Sequence, residues 1–236
     1  MSELKMTKLG LEFDSLQRSA NLFFIRHGES DGNQARKIQG HTDLPLTDKG
    51  RSQAAQAGLW LKKQGIELII ASPLSRAWET ATIIANQIGL AADSIIPSDL
   101  IKELNTGIFS NKTFAEVESD HNEAWQAFRY RSWESVPEAE RIDALLNRSI
   151  GHWNNLIAHA NAGHHRILTV THGGFFQWLF RASFSPSHSS WMPLVHLDNC
   201  GFSDFYIEPV TEAPSFERGR FFAEWRKVNF TAFSAV

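Results

Sequence analysis

Three times along this chain a short apolar run ends in a polar turn and then a helix-like stretch, and that grammar restricts the fold more than any other feature. Leu22-Phe23-Phe24-Ile25 leads into Arg26-His27-Gly28-Glu29-Ser30, Leu68-Ile69-Ile70 into Ala71-Ser72-Pro73-Leu74-Ser75-Arg76, and Ile167-Leu168-Thr169-Val170 into Thr171-His172-Gly173-Gly174. Runs this short, rich in β-branched and aromatic residues, read as strands buried on both faces. Helical signals separate them. Thr47 and Asp48 can open a helix through Ala54, Ala55, Leu59 and Leu61 that stops at Gly65, and a second runs from about Ser75 to Gln87 and ends at Gly89. Ile142, Leu146, Ile150, Trp153 and Ile157, spaced by 4, 4, 3 and 4, make one buried face of a third. Strands alternating with helices predict an α/β chain, built as a three-layer α/β/α stack around a mainly parallel central sheet.

Phe202, Phe205-Tyr206-Ile207 and the stretch from Phe221-Phe222 to Val228 predict two further strands, a hairpin or sheet edge, separated by the turn-rich Glu208 to Gly219. Residues of about 105 to 140, with Trp125, Phe128, Tyr130 and Trp133 among many charges, break the rhythm and predict a helical insertion over the sheet. The length of 236 residues suits one domain with such an insertion. The expected organisation is an N-terminal extension over 1–20 followed by one α/β domain over 21–236.

Charge bears on partners. Lys and Arg total 23 against 26 Asp and Glu, a net charge of −3, so no chain-wide positive field would draw nucleic acid or an anionic membrane. No apolar run approaches the roughly 20 residues of a bilayer span, and the scattered charges of the first 20 residues do not resemble a signal peptide. Cys200 is the only cysteine, which rules out an intramolecular disulfide or a Cys-rich zinc cluster and fits a reducing cytoplasm; it reads as a structural thiol. The expected location is cytoplasmic, with no nucleic-acid or membrane partner, and the oligomeric state stays open.

In open α/β sheets, ligands bind beyond the carboxyl ends of the strands, where helix N-termini present free N–H groups. The three turns deliver Arg26 and His27, Arg76, and His172 to that edge. Two guanidinium groups and two imidazoles converging there suit a phosphate: arginine grips tetrahedral oxygens with a fixed fork, and histidine can act as nucleophile, acid or base. Gly28 and Gly173 would let the backbone come close to such a ligand. Other phosphate chemistries lack their parts. The position six beyond Cys200 is Tyr206, not the arginine of a cysteine phosphatase, and the chain has no Gly-Lys nucleotide loop, no Gly-x-Gly-x-x-Gly, no Asp-x-Asp and no His-Glu-x-x-His. Gly201-Phe202-Ser203-Asp204-Phe205 lacks the second glycine of a nucleophile elbow. His159, His164 and His165 read as solvated loop residues, so neither a metal nor a cofactor is expected.

Phe24-Ile25-Arg26-His27-Gly28-Glu29-Ser30 with Asn33, then Ser72-Pro73-Leu74-Ser75-Arg76-Ala77, then Thr171-His172-Gly173-Gly174, resemble the histidine phosphatase superfamily in its phosphoglycerate-mutase-like branch. Gln39-Gly40-His41-Thr42-Asp43-Leu44-Pro45-Leu46-Thr47-Asp48-Lys49-Gly50 extends the match, which spans about residues 22 to 204 and is thin through 108 to 165. The resemblance implies His27 as the nucleophile that takes the phosphoryl group, Arg26, Arg76 and His172 around its oxygens, and Asn33 as a further donor. It implies Glu103 as the acid/base that protonates the leaving group and then activates water, and secondary contacts from Ser30, Gln39, Gly40 and Gly173. Nearby cations should favour the neutral imidazole of His27, and a carboxyl beside bound phosphate should be held protonated. The partner is a small phosphorylated metabolite.

Departures from the family pattern bear on the substrate. Ile108-Phe109-Ser110-Asn111 stands where relatives often carry an aromatic residue followed by Glu-Gly, and Pro137-Glu138-Ala139-Glu140-Arg141 replaces the usual Gly-Glu-Ser. Leu104-Asn105-Thr106 replaces the Arg-Tyr-rich segment of phosphoglycerate mutases, which favours hydrolysis over mutase action. A phosphomutase, or a catalytically weak protein that binds a phosphorylated ligand, are the alternatives.

Overall fold

The computed structural model describes residues 10–184, 194–210 and 221–232. Residues 1–9 and most of the turn-rich 208–219 segment lie outside them. A six-stranded sheet runs in the order β4-β3-β6-β1-β7-β8. Its strands are β1 (Ala20–Arg26), β3 (Leu68–Ala71), β4 (Ile96–Pro97), β6 (Arg166–Thr171), β7 (Phe202–Pro209) and β8 (Phe221–Phe230). A second, two-stranded sheet pairs β2 (Lys37–Ile38) with β5 (Lys112–Thr113). The helices are α1 (Asp31–Gln34), α2 (Asp48–Leu61), α3 (Ser75–Ile88), α4 (Phe114–Asp120), α5 (Asn122–Arg131), α6 (Ile142–Asn161) and α7 (Gly173–Phe184).

β4, β3, β6 and β1 are mutually parallel, whereas β7 and β8 join antiparallel. The two C-terminal strands are therefore both a hairpin and a sheet edge. Alternation within single strands sets the layers. Leu22 and Phe24 enter the core that α6 and α7 cover, whereas Phe23 and Ile25 enter the core that α2 and α3 cover. Successive strand side chains point to opposite faces, so a strand covered twice is apolar on both: Leu22 to Ile25 of β1 are all apolar, and β6 interrupts Ile167, Leu168 and Val170 only with Thr169, which is buried and bonds His152.

Each helix takes its ends from residues already suited to them. Thr47 accepts a bond from the Gly50 amide to open α2, and Gly65 and Gly89 take left-handed conformations past α2 and α3. Phe13 and Leu16, from the stretch read as an extension, are part of the core that α6 covers, Phe13 edge-on to Trp153. The insertion carries α4 and α5, and its small core of Phe109, Val117 and Val136 packs Trp125, Phe128 and Trp133 against itself. No helix of the described residues is long and apolar enough to cross a membrane.

Burial also sets an acid limit. His152 on α6 is fully buried with Nε2 at 2.9 Å from the Thr169 hydroxyl, and burial pushes its pKa down from 6.5 to about 3. Between those values the unfolded chain binds a proton that the folded chain refuses. Stability therefore grows with pH across the window and is lost as pH falls through it, with a slope approaching about 1.4 kcal/mol per pH unit for this group. Urea midpoints measured from pH 7 to pH 4 should fall, and His152→Gln should flatten the curve; an unchanged slope would refute the assignment.

Candidate active site

β1, β3 and β6 end in register, Arg26 opposite Thr171 and Ala71 opposite Val170, so the residues just beyond them meet. The His27 amide donates to the Thr171 carbonyl at 3.0 Å and the Ser72 amide to the Val170 carbonyl at 3.0 Å. His27 is 2 % exposed. Its Nδ1 lies 2.7 Å from the Gly28 carbonyl and its Nε2 lies 3.3 Å from Arg76 Nε. A carbonyl only accepts and a guanidinium only donates. The proton therefore sits on Nδ1, and Nε2 keeps its lone pair. Burial, then Arg76, then Arg26, holds the His27 pKa well below the usual histidine range. Neighbouring cations thus act as expected, but desolvation comes first. Gly28 serves packing more than ligand approach: a Cβ there would collide with the Gly50 carbonyl of α2.

Arg76 is fully buried at the start of α3. Nη1 donates to the Thr42 carbonyl and Nη2 to the Gly40 carbonyl, each at 2.9 Å, so the loop before α2 aims this side chain at His27. Arg26 is anchored by Nη1 to the Leu197 carbonyl at 2.7 Å, and its Nε is buried without a partner. His172 stands 5.1 Å from His27 between ring centres. Its Nε2 pairs with the Ser72 hydroxyl at 2.8 Å, its Nδ1 is buried without a partner, and burial with Arg76 holds its pKa well down.

The expectation that helix N-termini would face the ligand with open amides is overturned. Asp43 accepts from the Ser75 amide at 2.8 Å at the start of α3. Glu103 does the same for α7: Oε2 accepts from Gly174 at 3.1 Å, and Oε1 from Phe175 at 2.7 Å and Leu104 at 2.9 Å. Carboxylates are favoured at these positive helix ends, so here the dipoles hold loops. Gly174 leaves room for this carboxylate, since a Cβ would lie 2.6 Å from Glu103 Oε1 and push it aside. Arg148 holds the same loop, donating to the Leu100 and Lys102 carbonyls at 2.8 Å and forming a fork with Glu140 at 2.6 and 2.8 Å.

Residues 22–214 match the histidine phosphatase superfamily (branch 1). The chain belongs to that superfamily. Phosphoglycerate mutase-like protein 4 of Arabidopsis thaliana is 35 % identical over 164 residues, covering 68 % of this chain and 70 % of its own length. The "Probable phosphoglycerate mutase GpmB" of Proteus mirabilis is 34 % identical over 154 residues, 64 % of this chain and 69 % of its own. Among solved structures, "Mycobacterial hydrolase 1" superposes with a TM-score of 0.73 at 24 % identity, covering 91 % of this chain and all of its own. A mutant phosphoserine phosphatase of Entamoeba histolytica bound to phosphoserine gives 0.67 at 24 % identity, with 89 % and 97 % covered. At these identities the structural likeness is one of fold.

Within this histidine phosphatase framework the remaining sequence candidates surround His27 and Arg76 in different ways. Ser30 caps α1, and its hydroxyl oxygen lies 2.9 Å from both Asn33 Oδ1 and Gln39 Oε1, its one proton shared between them. Asn33 Oδ1 also accepts from the Ser30 amide and from Asn199, which leaves its amide nitrogen as the group able to donate to a ligand. Gly40 contributes through its carbonyl on Arg76, and Gly173 lines the cleft beside Arg26 and Glu103. Sequence reasoning passed over Ser72, Asn199 and Arg148. Asn199 donates to the His27 carbonyl at 3.1 Å from 172 residues away. The one available signal was Arg148, a charge beside the apolar stripe of α6. The three departures from the family pattern meet in space, since Asn105 and Glu140 exchange backbone and side-chain bonds, Thr106 bridges to Ala139, and the Ile108 amide donates to the Pro137 carbonyl at 3.1 Å.

Proposed function

We propose that this protein is a phosphatase that hydrolyses a small phosphomonoester through a phosphohistidine on His27, without a metal. The observation that carries the reading is the lone pair held on His27 Nε2 by Gly28 behind it and Arg76 before it. That lone pair attacks phosphorus, a P–N bond forms, and the P–O bond to the alcohol breaks. Arg26 and Arg76 would balance the charge of the transferring oxygens, and His172, as a neutral imidazole with its proton on Nδ1, would donate a hydrogen bond to them; Arg26 Nε and His172 Nδ1 are both buried without partners. Glu103 lies in the same cleft as Arg26. Carrying a proton, it would supply the leaving oxygen. In the second step it would take a proton from water as the water oxygen attacks phosphorus, and the P–N electrons would return to Nε2.

Glu103 meets three amides, two on Oε1 and one on Oε2, so the proton for the first step would occupy the remaining acceptor site of Oε2. The mutase names of two relatives bring a second reading, in which the phosphoryl group returns to a substrate and is not released. Inorganic phosphate release from phosphorylated metabolites, with EDTA present, separates these readings. Release in EDTA, with an acid-labile and alkali-stable phosphoryl adduct trapped on the protein, is the expected result. Phosphate moved within the substrate without release would favour the mutase, and loss of activity in EDTA would overturn the metal-free route.

A further inference from the structure

A cleft of about 760 Å³ opens beside the phosphate-facing residues, between the insertion and α7. Arg26, Glu103, Gly173 and Gly174 form its inner end. Its outer walls are of a different kind: Phe128 and Trp133 from the insertion face Trp178 and Phe180 from α7, and Tyr130 and Leu194 stand at the rim. The last two are 80 % and 67 % exposed. These aromatic walls are held firmly. Phe128 packs on Trp133 with ring centres 4.7 Å apart, and Phe180 packs on Trp225 at 5.0 Å.

The charges around the cleft are few and largely engaged. Arg181 stands 5.5 Å from the Trp178 ring, and Glu134 pairs with Arg141 at 3.0 Å. His196 pairs with Asp198 at 2.9 Å, and Arg131 is the remaining cation of the wall. A polyhydroxylated or carboxylated alcohol would find little here to replace the water it loses, whereas an apolar one gains by leaving water.

Resting on the phosphatase reading, we infer that the substrate is a phosphomonoester of a bulky, mainly aromatic alcohol, its phosphate at His27 and its ring between the insertion and α7. The leaving-group end of the site is then a hydrophobic slot that meets the anion pocket at Arg26 and Glu103, of the size at which small-ligand pockets enclose most of their guest.

The test pairs compounds that differ only in the ring, so that intrinsic reactivity cancels. Binding is measured for 3-phenylpropyl phosphonate and propyl phosphonate, and phosphate release for the matching two phosphate esters. Burial of one phenyl ring should favour the phenyl compound by about 30-fold, both in Kd and in kcat/KM. Tyr130→Gln combined with Leu194→Gln should reduce that ratio at least about threefold; because it is a ratio within one preparation, partial misfolding cannot produce the change. Equal affinities for the two phosphonates would overturn the inference whether or not phosphate is released. Tighter phenyl binding with no release from either ester would sustain the slot and overturn the hydrolytic reading on which its catalytic meaning rests.

Discussion

His27→Ala should abolish phosphate release, by at least about 10⁴-fold, while leaving a folded protein. Loss of a nucleophile removes the whole covalent route and leaves only what the cationic pocket can do for water. The ring makes few contributions to stability that alanine would forfeit. It is buried at the carboxyl edge of the sheet, not in either apolar core, and its bonds are one to Gly28 and one from Arg76. Arg76 keeps the Thr42 and Gly40 carbonyls as anchors, so the anion pocket should survive. The variant should still bind inorganic phosphate, show no trapped phosphoryl adduct and melt within a few degrees of the parent. Retention of a tenth of the parent's turnover would remove His27 as nucleophile.

Arg148→Ala should cost stability and activity together. Its fork with Glu140 is only about one-seventh exposed, with side-chain accessibilities of 14 % and 17 %, and the guanidinium also lies 3.8 Å over the Phe175 ring. Truncation strands the Glu140 carboxylate and removes the donor from the Leu100 and Lys102 carbonyls. Breaking a largely buried pair in this way costs about 3–5 kcal/mol, which lowers Tm by on the order of 10 °C in a chain of this size. Because those carbonyls flank Glu103, kcat should fall more than KM rises. Arg148→Lys should restore part of the stability but not the fork, since one ammonium cannot meet two oxygens and two carbonyls at once. A Tm shift below about 2 °C in Arg148→Ala would show that the 100–103 loop is held by something else.

Much of the fold was legible because its signals are local. β1, β3 and β6 show as apolar runs, and α6 shows as a 3.6-residue stripe from Ile142 to Ile157 because one helix face must be buried. The ends of α2 and α3 were equally visible in Thr47, Gly65 and Gly89. His27, Arg76 and His172 could be picked out since a strand end followed by a helix puts a side chain at one sheet edge whatever the rest of the chain does. Asn33, Ser30 and Gln39 bond one another, a network that no local pattern announces, and none of the three lines the cleft.

What the sequence by itself determined, then, is the layered α/β frame, the convergence of two histidines and two arginines, and the family those residues belong to. Only the tertiary structure decided how these groups are poised. The His27 proton is set by a carbonyl one residue on and a guanidinium 49 residues away, Glu103 is capped onto a helix 71 residues later, and Arg148 reaches a loop 46 residues before it. None of these partners leaves a local pattern, because a hydrogen bond depends on angstrom-scale distance while sequence periodicity records only which face of an element is buried. The apolar slot is of the same kind: its walls come from the insertion and from α7, and each reads separately as ordinary packing until the fold sets them face to face.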